Sequence, residues 1–337
     1  MSTPFERDID DQAEALRAFA QSAISPALAR LLRRQYDRIV LTGMGSSHFA
    51  ALPGWRRLAD AGHPVWWVDS SQLLDAPGLV TPGTLLVVTS QSGASAEVVA
   101  MVEPQGPIER AAALIAVTND PASPLALRAA GIIGLHSGDE ATVSTKSYLN
   151  SLAAHERIAS VVNGTPADDT GEAVKAIEEF GRPAVLRDIA TDFVATPGAR
   201  LVYIGFGDHA ASALYAGLIT KEAAKVPAEG YIGGQFRHGP LELAGPGLTA
   251  VLFGADGRAH GSVHQLGTDL LASGSTVLAV GDPDLAGAVH MSASGGSMSA
   301  RLARDALIAQ RLTVAIATAR GITPGVFTYG SKVTTAL

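Results

Sequence analysis

The feature that most constrains this chain is an internal duplication. Arg38-Ile-Val-Leu-Thr-Gly43-Met-Gly45-Ser-Ser-His-Phe-Ala50 and Arg200-Leu-Val-Tyr-Ile-Gly205-Phe-Gly207-Asp-His-Ala-Ala-Ser212 run through the same series. Each is a basic residue, a short apolar strand, a Gly-x-Gly turn and a helix start. Gly43 and Gly205 lie 162 positions apart, close to half of the 337 residues. Two copies of one α/β unit explain this spacing better than a single large domain.

The runs Ile39–Thr42, Val65–Val68, Leu85–Thr89, Leu114–Val117 and Ile132–Leu135 are short, continuously apolar and separated by helical or Gly/Pro-rich stretches. Such strands suit a parallel sheet covered on both faces. The second half repeats the scheme with Leu201–Ile204, Thr249–Phe253 and Thr276–Val280, and with a helix over Arg301–Arg320. Helices near Asp8–Arg34 and Lys146–Val162 are expected beside the sheet. The polar, turn-rich stretch Asn163–Gly171 is the candidate boundary. The expected division is residues 1–165 with the N-terminal helix, 166–320, and an irregular tail 321–337.

Composition narrows the chemistry. There is no cysteine, which removes disulfides, thiolate metal sites and cysteine nucleophiles together. The nine histidines fall in no metal-ligand spacing, so no metal is expected. A net charge of -7 argues against nucleic acid as a partner. No apolar run approaches the roughly 20 residues needed to cross a bilayer. The polar start MSTPFERDIDDQ is not a secretory signal, and a cytoplasmic location is expected.

Four segments carry candidate chemistry. Ser90-Gln91-Ser92-Gly-Ala-Ser95 follows one strand and opens a helix, a setting that serves an anion cradle or an ordinary capped turn. Gly43-Met-Gly-Ser46-Ser47 follows the first strand. His48 stands where a dinucleotide fingerprint needs its third glycine, so a monophosphate fits better than a nicotinamide cofactor, and no cofactor is expected. Thr142-Val-Ser144-Thr145-Lys-Ser147 opens a helix with hydroxyls, which suit an anion, a sugar or simple capping. Late in another helix stands Glu222, a general base or a solvated carboxylate, and His238 precedes Gly-Pro in a rigid loop, aimed for proton transfer or merely packed.

In order, GMGSS, SQSGAS, STKSY, KEAAKVPAEGYIGGQFRHGP and SKVTTAL span nearly the whole chain. Together they resemble the tandem SIS (sugar isomerase) family, above all the isomerase half of glucosamine-6-phosphate synthase and the SIS-type glucosamine-6-phosphate deaminases. The resemblance implies two tandem doubly wound, flavodoxin-like parallel-sheet domains. It implies a hexose 6-phosphate whose phosphate sits on Ser46, Ser47, Ser90, Gln91, Ser92 and Ser95, with Ser144 and Thr145 contacting the sugar. Glu222 matches the carboxylate that moves a proton between C1 and C2. His238 matches the ring-opening histidine, which in the family arrives from the neighbouring subunit of a homodimer. The tail covers the sugar, and Lys332 lies near the lysine that forms a Schiff base in the synthase.

Three departures qualify that transfer. The chain starts at the SIS region without a cysteine, so glutamine-dependent synthesis is not expected of it. Ile219 stands where the family's helix commonly carries a lysine, three residues before the glutamate. The tail reads Ser331-Lys332-Val333-Thr334, as in the deaminase-like branch, one residue later than in the synthase. The expected activity is acid/base aldose–ketose isomerisation of a hexose or amino-hexose 6-phosphate, with ammonia release as an extension. The alternative is a non-catalytic phosphosugar sensor. Against it stand the absence of a basic DNA-binding segment and the retention of Glu222 and His238.

Overall fold

The computed structural model describes residues 2–254, 259–281, 284–291 and 295–336. These form two compact α/β units. The first comprises residues 11–171 and the C-terminal stretch from Tyr329. The second comprises residues 172–328 and, at the other end of the chain, the helix Pro4–Asp10. That helix was expected with the first half. The span expected as helical from Asp8 to Arg34 is three helices, Pro4–Asp10, Gln12–Gln21 and Pro26–Leu32. Leu337, included in the expected tail, lies outside the described residues.

The first unit holds strands β1 (Arg38–Gly43), β2 (Val65–Trp67), β3 (Thr84–Thr89), β4 (Ala113–Thr118) and β5 (Gly131–Gly134). They pair in parallel in the order β2-β1-β3-β4-β5. Side chains alternate between the faces of a strand. Accordingly Ile39, Leu41, Leu85, Val87, Ile115 and Val117 form one core with residues of the helices Pro26–Leu32 and Lys146–Asn163. Val40, Leu86, Val88, Leu114 and Ala116 form the opposite core with Leu73, Val98 and Leu125 from three other helices. Both faces are dry, which is why these strands read as unbroken apolar runs.

The second unit holds β6 (Arg200–Gly205), β7 (Ala228–Ile232), β8 (Leu248–Phe253), β9 (Thr276–Val280) and β10 (Val289–Met291). Their order, β7-β6-β8-β9-β10, is the same permutation of its own strands, again parallel throughout. The doubly wound pair expected from the repeat is therefore present, down to strand order. Two edge strands, β7 and β10, were not visible in the sequence. β7 contains Glu229 and Gly230, poor strand formers, and β10 is only three residues long.

In this strand order the chain leaves its first strand toward one face of the sheet and its third toward the other. Their carboxyl ends form a crevice where ligands collect in folds of this type. In the first unit the register pairs Gly43 with Thr89, and in the second Gly205 with Phe253. The crevices are thus set by the two Gly-x-Gly turns that define the duplication.

Candidate functional site

Gly43 closes β1 so tightly that a Cβ there would lie 2.8 Å from the Thr89 carbonyl oxygen. Gly45 follows with φ +51°, a conformation that favours glycine. This turn delivers Ser46, which is buried, and Ser47, which is half-buried, to the end of the sheet. Beside it, β3 ends and Ser90–Ser95 begins.

The serine loop is tied down by its own backbone. Ser90 Oγ accepts from the Gly93 N–H at 3.1 Å, and Ser92 Oγ accepts from the Ala94 N–H at 3.2 Å. The Gln91 carbonyl accepts from the Asn119 N–H at 3.0 Å and from Thr118 Oγ1 at 3.3 Å. Gly93, at φ +61°, packs on Ser123 where no side chain fits. Ser95 is the N-cap of the helix Ala96–Val102, and its hydroxyl makes no capping bond. The two serine-bearing loops leave neighbouring strands at the same end, as the anion-cradle reading requires.

Beneath this end lie two histidines that the sequence did not single out. His48 stacks on Trp67 with ring centroids 4.2 Å apart, and Trp67 Nε1 donates to the His48 carbonyl at 2.8 Å. His155 Nε2 shares a 2.8 Å hydrogen bond with Thr89 Oγ1, at the last residue of β3. Burial pushes His48 down to about 4, against a weaker opposite pull from Asp69. Burial, helped by the nearness of His48, pushes His155 down to about 3. Both rings are therefore neutral at pH 7.

The segment Thr142–Ser147 is organised by a residue the sequence reading missed, Glu140. Its Oε1 accepts from the Thr145 N–H at 2.7 Å, the Thr145 hydroxyl at 3.0 Å and the Ser147 N–H at 3.1 Å. Its Oε2 accepts from the Ser147 hydroxyl at 2.6 Å and from Lys332 Nζ at 2.6 Å. Burial alone would raise the Glu140 pKa. The Lys332 charge and the bonds from Lys332, Ser147 and Thr145 outweigh it and hold the carboxyl below its ordinary value. Thr145 is fully buried with its donors committed to Glu140, while Ser144 is half-buried. The available signal was an acidic residue just before a hydroxyl-rich helix start, where unpaired N–H groups need an acceptor.

The tail therefore belongs to the first unit at two points. Lys332 meets Glu140, and the Thr334 carbonyl accepts from the Ala96 N–H at 2.9 Å, one residue beyond Ser95.

In the second unit, the helix Ala210–Ala224 carries Glu222 in its last turn, half-buried. Ile219 is fully buried in the core. A lysine in its place would bury its charge. The helix is pinned by polar contacts: Thr220 Oγ1 shares hydrogen bonds with the Tyr203 hydroxyl at 2.9 Å and Thr313 Oγ1 at 3.0 Å. Gln310 Nε2 donates to the Tyr215 hydroxyl at 2.8 Å. His238 follows the turn Gly233–Arg237 and is exposed, with its N–H donating to the Gln235 carbonyl at 3.0 Å. At the crevice of this unit, Asp208 and His209 replace the serine pair, and His209 Nδ1 lies 2.6 Å from Asp305 Oδ2. Among the described residues no cluster of His, Asp and Glu is arranged to hold a metal, and no helix is long and apolar enough to cross a membrane.

Ser46, Ser47, Ser90, Gln91, Ser92, Ser95, Ser144, Thr145 and Lys332 thus all lie in the first unit, and Glu222 and His238 in the second.

Comparison with known proteins agrees with this architecture. The SIS domain model matches residues 31–160 and 196–285, one segment in each half. The glutamine–fructose-6-phosphate aminotransferase (isomerizing) of Pyrococcus horikoshii is 28% identical over 290 residues, covering 82% of this chain and 48% of that one. The chain thus spans less than half the length of this relative. The C-terminal domain of glucosamine-fructose-6-phosphate aminotransferase from Francisella tularensis superposes with a TM-score of 0.82 at 19% identity, over 97% of this chain and 98% of that domain. Glucosamine-6-phosphate deaminase from Thermotoga maritima gives 0.71 at 20% identity, over 99% and 100%. At these identities both structural likenesses are likenesses of fold.

Proposed function

Because the chain belongs to the SIS domain family, we propose that it binds a hexose 6-phosphate and interconverts its aldose and ketose forms by acid/base catalysis. The observation that carries this reading is the rigid, hydroxyl-rich pair of loops at the β1/β3 crevice. Hydroxyls and loop N–H groups at the carboxyl end of a parallel sheet suit a phosphate dianion. Ser46, Ser47, Ser90, Gln91, Ser92 and Ser95 are assigned to the phosphate. That group takes no part in the chemistry, and its binding energy positions the reacting end of the sugar.

The chemistry needs ring opening, removal of a proton beside a carbonyl and its return to the adjacent carbon. Glu222 is assigned the proton transfer between C1 and C2, since one carboxylate can serve both carbons across one face of an enediol. His238 is assigned ring opening. Its exposure suits a residue supplied to a second copy of the chain, so the active form is proposed to be a homodimer. With an amino-hexose 6-phosphate, the same transfer turns the 2-amino aldose into a 2-ketimine. Water then adds at C2, releasing ammonia and leaving the ketose. Lys332 and the Ser144–Thr145 segment are assigned to the sugar side of the nest.

The test is exchange of solvent deuterium, followed by NMR, at C1 of fructose 6-phosphate and at C2 of glucose 6-phosphate and glucosamine 6-phosphate. Exchange in the wild type, abolished in Glu222→Gln with binding retained, is the expected result. Binding without exchange by the wild type would make the chain a phosphosugar sensor, and full exchange by Glu222→Gln would remove that residue from the mechanism.

A further inference from the structure

Glu140 is a carboxylate wholly buried within the first unit, and the Lys332 ammonium faces it across 2.6 Å. Thr145 and Ser147 add neutral donors to it. A buried charge left without its counter-charge is strongly destabilising, so the fold holds the tail lysine in place. Two residues further along the tail, the Thr334 carbonyl takes the first N–H of the helix that Ser95 caps. The tail therefore joins the carboxylate that organises Thr145 and Ser147 to the loop that carries Ser90, Ser92 and Ser95. It does so through a backbone N–H, which leaves the serine hydroxyls in place.

We propose that Glu140 is the positioning residue that seats Lys332 and the tail, and that seating of the tail and occupancy of the serine loop reinforce one another. The reinforcement comes from order. A turn already fixed by Thr334 costs less to immobilise when a ligand binds it, and a bound ligand fixes the turn on which Thr334 docks. The identity of that ligand as a phosphorylated sugar rests on the function proposed above; the seating of the tail does not.

Hydrogen exchange on the full chain separates the two. Lys332→Met and Glu140→Gln should each speed exchange in residues 93–102 and 329–336 at least about tenfold, and Lys332→Arg should restore most of the protection. Glutamine keeps an acceptor for Thr145 and Ser147, so Glu140→Gln removes chiefly the charge. A double variant no worse than either single one is expected, because both break the same contact. Exchange in residues 200–205 should stay at the wild-type rate; a rise there would mark general loosening and count against a positioning role.

Saturating fructose 6-phosphate should slow tail exchange in the wild type. Its KM should rise about tenfold in Glu140→Gln, with kcat changing less. Tail exchange in Lys332→Met equal to wild type would overturn the proposal, as would faster tail exchange on ligand binding. If the tail loosens in the variants while no hexose 6-phosphate shifts the wild-type melting temperature, the seating stands and the proposed function falls.

Discussion

Gly217 of the helix Ala210–Ala224 and Gly230 of β7 meet backbone to backbone: a Cβ on Gly217 would lie 2.6 Å from the Gly230 nitrogen. A Cβ on Gly230 would in turn strike the Ala213 carbonyl and the Leu214 Cα. One contact thus sets the helix that carries Glu222 against the strand that leads to His238. Gly217→Ala should destabilise the protein by about 1–3 kcal/mol in denaturant unfolding, although alanine is the better helix former. Gly261→Ala is the control, because a Cβ there meets nothing within 4 Å. It should be neutral or stabilise by up to about 1 kcal/mol. Equal effects of the two substitutions would show that the helix does not depend on this close approach.

Ile219→Lys places a charged side chain at a site that is sealed in the core. The substitution should cost about 3 kcal/mol or more and gain no activity. An unchanged melting temperature with faster turnover would show that the site accommodates a charge.

Ser92→Ala with Ser95→Ala should raise KM for fructose 6-phosphate about tenfold or more while leaving weak binding of unphosphorylated fructose unchanged. Equal weakening for both ligands would place the phosphate elsewhere.

The exposure of His238 and the proposed dimer can be tested together by mixing two inactive variants. When Glu222→Gln and His238→Asn chains are unfolded and refolded together, half of the dimers are mixed. If each site draws its histidine from the second copy, one site in each mixed dimer is intact and about a quarter of wild-type activity returns. If each chain supplies both residues to its own site, none returns.

His48 and His155 are held below the ordinary imidazole value of 6.5, to about 4 and about 3. The unfolded chain binds these protons first, so their contribution to stability is complete above pH 6.5 and is lost as pH falls through the window down to about 4. Each ring still neutral in the fold but charged in the unfolded chain adds a slope of about 1.4 kcal/mol per pH unit. Unfolding free energies measured from pH 7 to 4.5 should show this decline, and His155→Gln should flatten it. An unchanged slope in that variant would mean the ring titrates normally.

The architecture was legible because strands buried on both faces must be apolar throughout, and because the Gly-x-Gly turns recur at the sheet ends. Ile39–Thr42 and Leu201–Ile204 could hardly be read otherwise. The serine loops stood out because hydroxyls crowd beside a glycine after a buried strand, a pattern that also serves the loop's own backbone, as the bonds to Ser90 and Ser92 do here. Glu140 and His155 were not legible, because their roles depend on partners far along the chain, Lys332 and Thr89. Edge strand β7 was hidden by Gly230, whose missing side chain answers to Gly217 rather than to strand propensity.

The tail's attachment to the first unit also bears on biosynthesis. The serine nest emerges from the ribosome early, yet Lys332 arrives only after residues 172–328 have been translated. Until then Glu140 lacks its counter-charge, so the nascent N-terminal unit is held short of its final stability while the rest of the polypeptide is made.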